Sequence, residues 1–199
     1  MKNLLLAFTA LLFFACNSPS GPAAPADAVI TDLTNYQTFD IPGSFHRLAE
    51  LRDADNHLVE SGMIDANDIK NGTWVVYHQG SDIPKSIATM VNGVYAGPYN
   101  EYSNRGQLEA SYTYINNELH GKFAKFKFGR KTEEGEYNFG QPNGTWITYY
   151  NNKENPQKLT TYKDGQMDGP LQFFDEEGNV TVEYEYENGE KVSGGIVEE

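Results

Sequence analysis

The chain has 199 residues and a formal charge of −13 at pH 7, from 15 Lys and Arg against 28 Asp and Glu. Such an acidic balance excludes nucleic acid and anionic bilayers as expected partners, because both demand a positive surface. It leaves neutral or basic partners open. Thirteen Tyr, eleven Phe, two Trp and nineteen Gly are a composition of strands and turns.

Taken in chain order, Lys2 is followed by an apolar run over residues 4–14, broken only by Thr9, and then by Ala15 and Cys16. That is the layout of a secretory signal over residues 1–15, too short to cross a bilayer alone. The stretch LFFAC resembles the lipobox of bacterial lipoproteins, with Phe13 where leucine is usual. The resemblance implies cleavage before Cys16 and lipid on that residue. It also implies a lipid-anchored location in a bacterial cell envelope, on a periplasmic or outer-membrane face. Cys16 is the only cysteine, so no disulfide forms within one chain. Residues 16–27, rich in Ser, Pro, Gly and Ala, read as a flexible tether. Residues 1–15 hold one lysine and no acid, so the cleaved chain carries −14.

Residues 28–67 read as an N-terminal lead. Residues 28–44 are irregular, and residues 45–65 hold one degenerate hairpin turning at Asp53-Ala54-Asp55-Asn56. Asp53, Asp55 and His57 alternate as in a calcium loop, but the glycine and final glutamate of such a loop are missing. No metal is expected there.

Residues 68–199 carry a repeat. A glycine followed two and five residues later by large apolar groups recurs at Gly72-Thr73-Trp74…Tyr77, Gly97-Pro98-Tyr99…Tyr102, Gly121-Lys122-Phe123…Phe126, Gly144-Thr145-Trp146…Tyr149 and Gly169-Pro170-Leu171…Phe174. The steps are 25, 24, 23 and 25 residues, a period that marks stacked units, each burying an apolar face on its neighbours. A second mark, Tyr114, Tyr137 and Tyr162, stands seven residues before the next glycine, with Met90 in the same place before Gly97. Tyr186 stands seven before Ser193, so a degraded sixth unit closes the array. Each unit reads as two strands and a turn. In the last strand Val182, Tyr184 and Tyr186 face one way, and Glu183, Glu185 and Glu187 the other. The fold expected is all-β, with consecutive antiparallel hairpins in one elongated twisted sheet. Offsets of two and five fall on opposite faces of a strand, so either both faces carry aromatic rings or a bulge lies between them. The sequence leaves both open.

The pattern G-x-W-x-x-Y, a turn, then Y-x-x-G-x-x-x-G resembles the MORN repeat. Residues 144–149 and 162–169 fit it most closely, and Leu171, Asn117 and Ser193 depart from it. The nearest form is the variant of bacterial envelope proteins and of proteins labelled antitoxin-like. The resemblance implies a hairpin-stacked sheet used for protein association, and it carries no catalytic residues.

The four histidines are scattered, and no phosphate-binding, dinucleotide or nucleophile-elbow motif is present. The expectation is therefore a non-enzymatic envelope lipoprotein without cofactor, whose array is a protein-binding surface. Its anchors are sought among Trp74, Tyr77, Tyr99, Tyr102, Phe123, Phe126, Trp146 and Tyr149. The alternatives are neutralisation of a basic toxin and the binding of glycan by exposed rings.

Overall fold

The computed structural model describes residues 32–151 and 154–197; the leader, Cys16 and the tether lie outside them. The described residues form one all-β sheet without helices. Its strands are β1 (Tyr36–Asp40), β2 (Arg47–Arg52), β3 (Leu58–Ile64), β4 (Lys70–Tyr77), β5 (Pro84–Val91), β6 (Val94–Tyr102), β7 (Leu108–Ile115), β8 (Glu118–Leu119), β9 (Gly121–Lys127), β10 (Arg130–Asn138), β11 (Gln141–Tyr149), β12 (Pro156–Lys163), β13 (Gln166–Phe174), β14 (Val180–Glu187) and β15 (Glu190–Ile196). Every pairing is antiparallel and between chain neighbours, so the sheet is an open succession of hairpins. β8 and β9 both pair with β7 and are one strand interrupted at His120.

The repeat glycines govern the local geometry. Gly72, Gly97, Gly121, Gly144 and Gly169 all take φ between 72° and 124°, a region closed to most side chains. Around them the ladder slips by two residues. Gly62 faces Trp74 while Met63 faces Asn71, and Glu134 faces Ile147 while Glu136 faces Asn143. Such wide bulges bend the strand and sharpen its twist.

The bend brings one edge of each hairpin back onto the preceding one. The two-residue turns at Asn92-Gly93, Asn116-Asn117, Phe139-Gly140, Asp164-Gly165 and Asn188-Gly189 have positive φ at both positions, the primed geometry that suits twisted hairpins. The second residue of each donates its N–H to a carbonyl one repeat earlier: Gly93 to Lys70, Asn117 to Tyr95, Gly140 to Leu119, Gly165 to Pro142 and Gly189 to Met167, at 2.7–3.0 Å. The residue before the repeat glycine adds a second stitch in several units. Asn71 Oδ1 accepts from the Asn92 N–H, and Asp168 Oδ2 accepts from the Asn188 N–H. At the other edge His78 Nε2 lies 2.9 Å from the Tyr102 carbonyl, and the Tyr150 hydroxyl donates to the Phe174 carbonyl at 2.7 Å. Successive repeats are therefore tied at both edges. That curls a single layer enough to bury the rings on one of its faces.

The longer turns are held by one side chain each. Asp53 Oδ1 accepts from the N–H groups of Asp55 and His57, Asp65 Oδ1 from those of Asn67 and Ile69, and Asp175 Oδ1 from those of Glu177 and Asn179. The Asp53 carboxylate thus serves its own turn. The Asn179 side chain and these backbone donors hold the Asp175 carboxyl below its ordinary range. Asp175→Ala is expected to open the β13–β14 turn first, seen as faster amide exchange at Glu177 and Asn179 with the β9–β11 amides unchanged.

One sequence expectation needs correction. Residues 36–40 are a strand paired with β2, not part of an irregular lead. Tertiary contact fixes it: the Tyr36 ring meets Trp74 edge-on at 6.3 Å, and its hydroxyl donates to Glu60. The sixth unit is degraded: its positive φ falls on Gly194 (102°), one residue past Ser193, and the slip beside it is one residue where the others have two.

Candidate functional site

The two aromatic marks of the repeat sort onto opposite faces. The residue two after the glycine and the Tyr seven before it line the inner face. There Trp74, Tyr112, Tyr114, Phe123, Tyr137 and Trp146 are only 2–4% exposed. From Tyr95 to Tyr162 the rings run as one chain of contacts, while Trp74 lies in a second cluster with Ala49, Ile64 and Met90. Tyr95 meets Tyr114 at 5.4 Å, Tyr112 stacks on Phe123 at 5.2 Å, Phe123 meets Trp146 at 5.0 Å, and Trp146 meets Tyr162 edge-on at 6.0 Å. Each such pair is worth about 0.5–1.5 kcal/mol beyond its burial. Of the sequence-selected anchors, Trp74, Phe123 and Trp146 are core residues, and Tyr99 packs half-buried against the cluster of Phe123 and Trp146.

The residue five after the glycine lies on the outer face, and Tyr77, Tyr102, Phe126 and Tyr149 there are all half-buried. Tyr77 shares a 3.3 Å hydrogen bond with Ser61, which faces Val75 across the ladder. The Tyr149 hydroxyl donates to Glu134, which faces Ile147. A one-residue slip does fall just before Tyr77 and Tyr149, but the extra residue, Lys85 or Gln157, sits on the following strand. The parity along β4 and β11 is therefore kept. Both faces carry rings, and the bulge belongs to the neighbour.

Charge is uneven over the surface of the array. Residues 120–131 (HGKFAKFKFGRK) contain five of the fifteen basic residues and no acid. They form β9, the turn Phe128-Gly129 and the start of β10. Lys125 pairs with Glu133 at 3.1 Å and Lys131 with Glu134 at 2.6 Å. Glu134 is held below the ordinary carboxylate range by its bonds from Lys131 and Tyr149, and Tyr149 is pushed up to about 12 by burial and that same carboxylate. A concavity of about 420 Å³ is lined by Phe126, Gly129, Arg130, Lys131, Tyr149 and Glu154. Another of about 240 Å³ lies beyond Phe126, toward Arg105, Leu108, Glu109 and Phe128. Sequence reasoning passed over this cluster because the charge was averaged over the whole chain. The alternation of Lys and Phe through residues 122–128 was the available signal.

Glu183, Glu185 and Glu187 on β14 lie on the face opposite Tyr184 and Tyr186, with Glu183 and Glu187 exposed. Among the described residues no group of three or more His, Cys, Asp and Glu is placed to hold a metal ion.

These features define an open, single-sheet hairpin-repeat protein whose inner face is filled by its own rings and whose outer face carries a second aromatic row. No protein-family model matches the chain, and no curated protein matches it either.

Proposed function

We propose that this chain is a non-catalytic interaction module of the cell envelope, a MORN-type array held to a membrane by lipid on Cys16. The observation that carries the reading is the outer row of Tyr77, Tyr102, Phe126 and Tyr149. These rings recur at the repeat period on the face the core does not use. Strands about 4.8 Å apart place successive rings of the row roughly 10 Å from one another in a flat sheet. Regularly spaced, partly open aromatic side chains are the residue type that dominates protein-binding surfaces. The partner is a protein, and the tether gives the array reach from the membrane.

A second reading, neutralisation of a basic toxin, draws on the acidic strip of Glu183, Glu185 and Glu187. The third, glycan binding, would use the same outer rings. Trp74 and Trp146 lie too deep to touch a sugar on that face, so their fluorescence would respond weakly to it.

Crosslinking and affinity capture of the full-length chain from its native envelope, beside Cys16→Ala, tests the leading reading. One protein captured reproducibly, and lost when Tyr77, Tyr102 and Tyr149 are replaced by serine, is the expected result. Cys16→Ala is expected to leave the membrane fraction. Capture that survives removal of the whole repeat array would sink the idea.

A further inference from the structure

The turn joining β9 to β10 is a two-residue turn at the edge where the other repeats have longer ones, and it differs in its residues from the two-residue turns of the opposite edge. Four of the other two-residue turns place Asn92, Asn116, Asp164 or Asn188 at the first left-handed position, residues that tolerate it. Phe139 occupies that position in another, and its ring is supported by His120 at 4.6 Å. Phe128 takes φ 52° with 75% of its surface exposed and no ring partner among the described residues. A bulky side chain held in a disfavoured backbone region, with three quarters of its surface open, points to contact outside the molecule. It lines the smaller of the two concavities described above, next to Phe126, which lines both, in the basic run of residues 120–131. Neither Lys127 nor Arg105 forms an ion pair among the described residues.

We propose that this tip docks an acidic peptide segment of a partner protein. An apolar side chain of the peptide enters the smaller concavity against Leu108, Phe126 and Phe128, and its carboxylates meet Arg105, Lys127 and Arg130. The inference rests on the reading of the array as a protein-binding surface and names the chemistry of one of its partners. It also separates local from global charge: the whole chain repels acids, while this hairpin attracts them.

Three features favour a peptide over other anions. Leu108, Phe126 and Phe128 give the smaller concavity an apolar wall for a peptide side chain, with Ser103, Asn104 and Gln107 beside it for the peptide backbone, and the Tyr149 hydroxyl of the larger one is already committed to Glu134. Glu109 and Glu154 line the two concavities and would oppose a plane of lipid headgroups. A peptide spaces its carboxylates, so they can meet the cations while avoiding both glutamates.

The probe is a fluorescein-labelled peptide of sequence Glu-Glu-Leu-Glu-Phe-Glu-Glu, titrated against the full chain by fluorescence polarisation, with its Gln-for-Glu counterpart as control. Saturable binding is expected, weakened about tenfold by the Gln peptide or by Lys127→Gln with Arg130→Gln, and weakened further by raised salt. Phe128→Asn is expected to reduce binding about as much while raising the melting temperature, since it installs the residue the other turns use. A structural role for Phe128 would instead lower stability. Equal binding of both peptides, unchanged binding by Phe128→Asn, or binding only of oligogalacturonate or of phosphatidylglycerol vesicles would each overturn the proposal. Envelope capture of a protein by the wild type, undiminished in these variants, would overturn this site while leaving the interaction module standing.

Discussion

Gly135→Ala is expected to cost the array about 2–3 kcal/mol, the scale of overpacking in a tight core. A Cβ built on Gly135 falls under 3.0 Å from the Trp146 ring. That ring cannot easily retreat. Its Nε1–H donates to the Glu136 carbonyl at 3.2 Å, Phe123 lies against it at 5.0 Å, and Tyr137 meets it edge-on at 5.1 Å. Trp146→Ala alone should cost about 3–5 kcal/mol, since it empties a site that is 4% exposed. In the Trp146→Ala background the same glycine change should cost little, because the colliding ring is gone. The difference between the two backgrounds is the coupling energy, expected at about 1–3 kcal/mol. Gly144→Ala is the control. Its Cβ meets nothing within 4 Å, but the backbone sits at φ 73°, so its penalty is backbone strain that loss of the tryptophan leaves in place. Denaturant unfolding of the four Gly135 and Trp146 combinations checks this, and an equal cost of Gly135→Ala in both backgrounds would refute it. Gly62 and Trp74 repeat the arrangement, with Trp74 Nε1–H donating to the Met63 carbonyl at 2.9 Å.

That Gly–Trp pairing shows what the sequence holds in plain view and what it hides. The period was legible because the repeat glycine is a backbone requirement, and no neighbouring side chain can substitute for φ near 72–124°. The turns were legible for the same reason, as Asn92-Gly93, Asp164-Gly165 and Asn188-Gly189 announce primed hairpins. Gly62 and Gly135 were not legible as packing glycines, because what they accommodate is a ring eleven or twelve residues further along the chain. Face assignment was hidden too. Whether Trp146 and Tyr149 share a face depends on which strand carries the extra residue, and that choice is made by the pairing across β11 and β12. The strand at Tyr36–Asp40 was missed because its support, Trp74 and Glu60, is distant in the chain. The basic tip was missed for a different reason: a net charge says nothing of how residues 120–131 are grouped in space.

The tyrosines of the inner face make a second large effect expected, an alkaline unfolding that sets in above pH 10. Burial, reinforced by neighbouring tyrosines and Glu101, raises Tyr112 and Tyr114 far above the ordinary tyrosine range, and it raises Tyr95 and Tyr99 in the same direction. An unfolded tyrosine releases its proton near pH 10. Above that pH the folded array holds more protons than the unfolded chain, so stability falls as pH rises. The slope is about 1.4 kcal/mol per pH unit for each tyrosine still protonated in the fold. Below pH 10 the contribution is fully present and flat. Tyr112 and Tyr114 together give about 3 kcal/mol per unit, and a typical domain has only about 5–15 kcal/mol to lose. The expected result is a melting temperature level to about pH 10 that then falls steeply, with the tyrosinate absorbance of Tyr112 and Tyr114 appearing only as the sheet unfolds. Tyr112→Phe keeps the ring stacked on Phe123 at 5.2 Å and removes one titrating group, so the alkaline slope should shrink by about 1.4 kcal/mol per unit. A melting temperature that stays level through about pH 11, or tyrosinate absorbance that rises in full while the sheet is intact, would show that the inner face does not exclude charge. The aromatic chain would then lose its standing as the closed core on which the outer row is mounted.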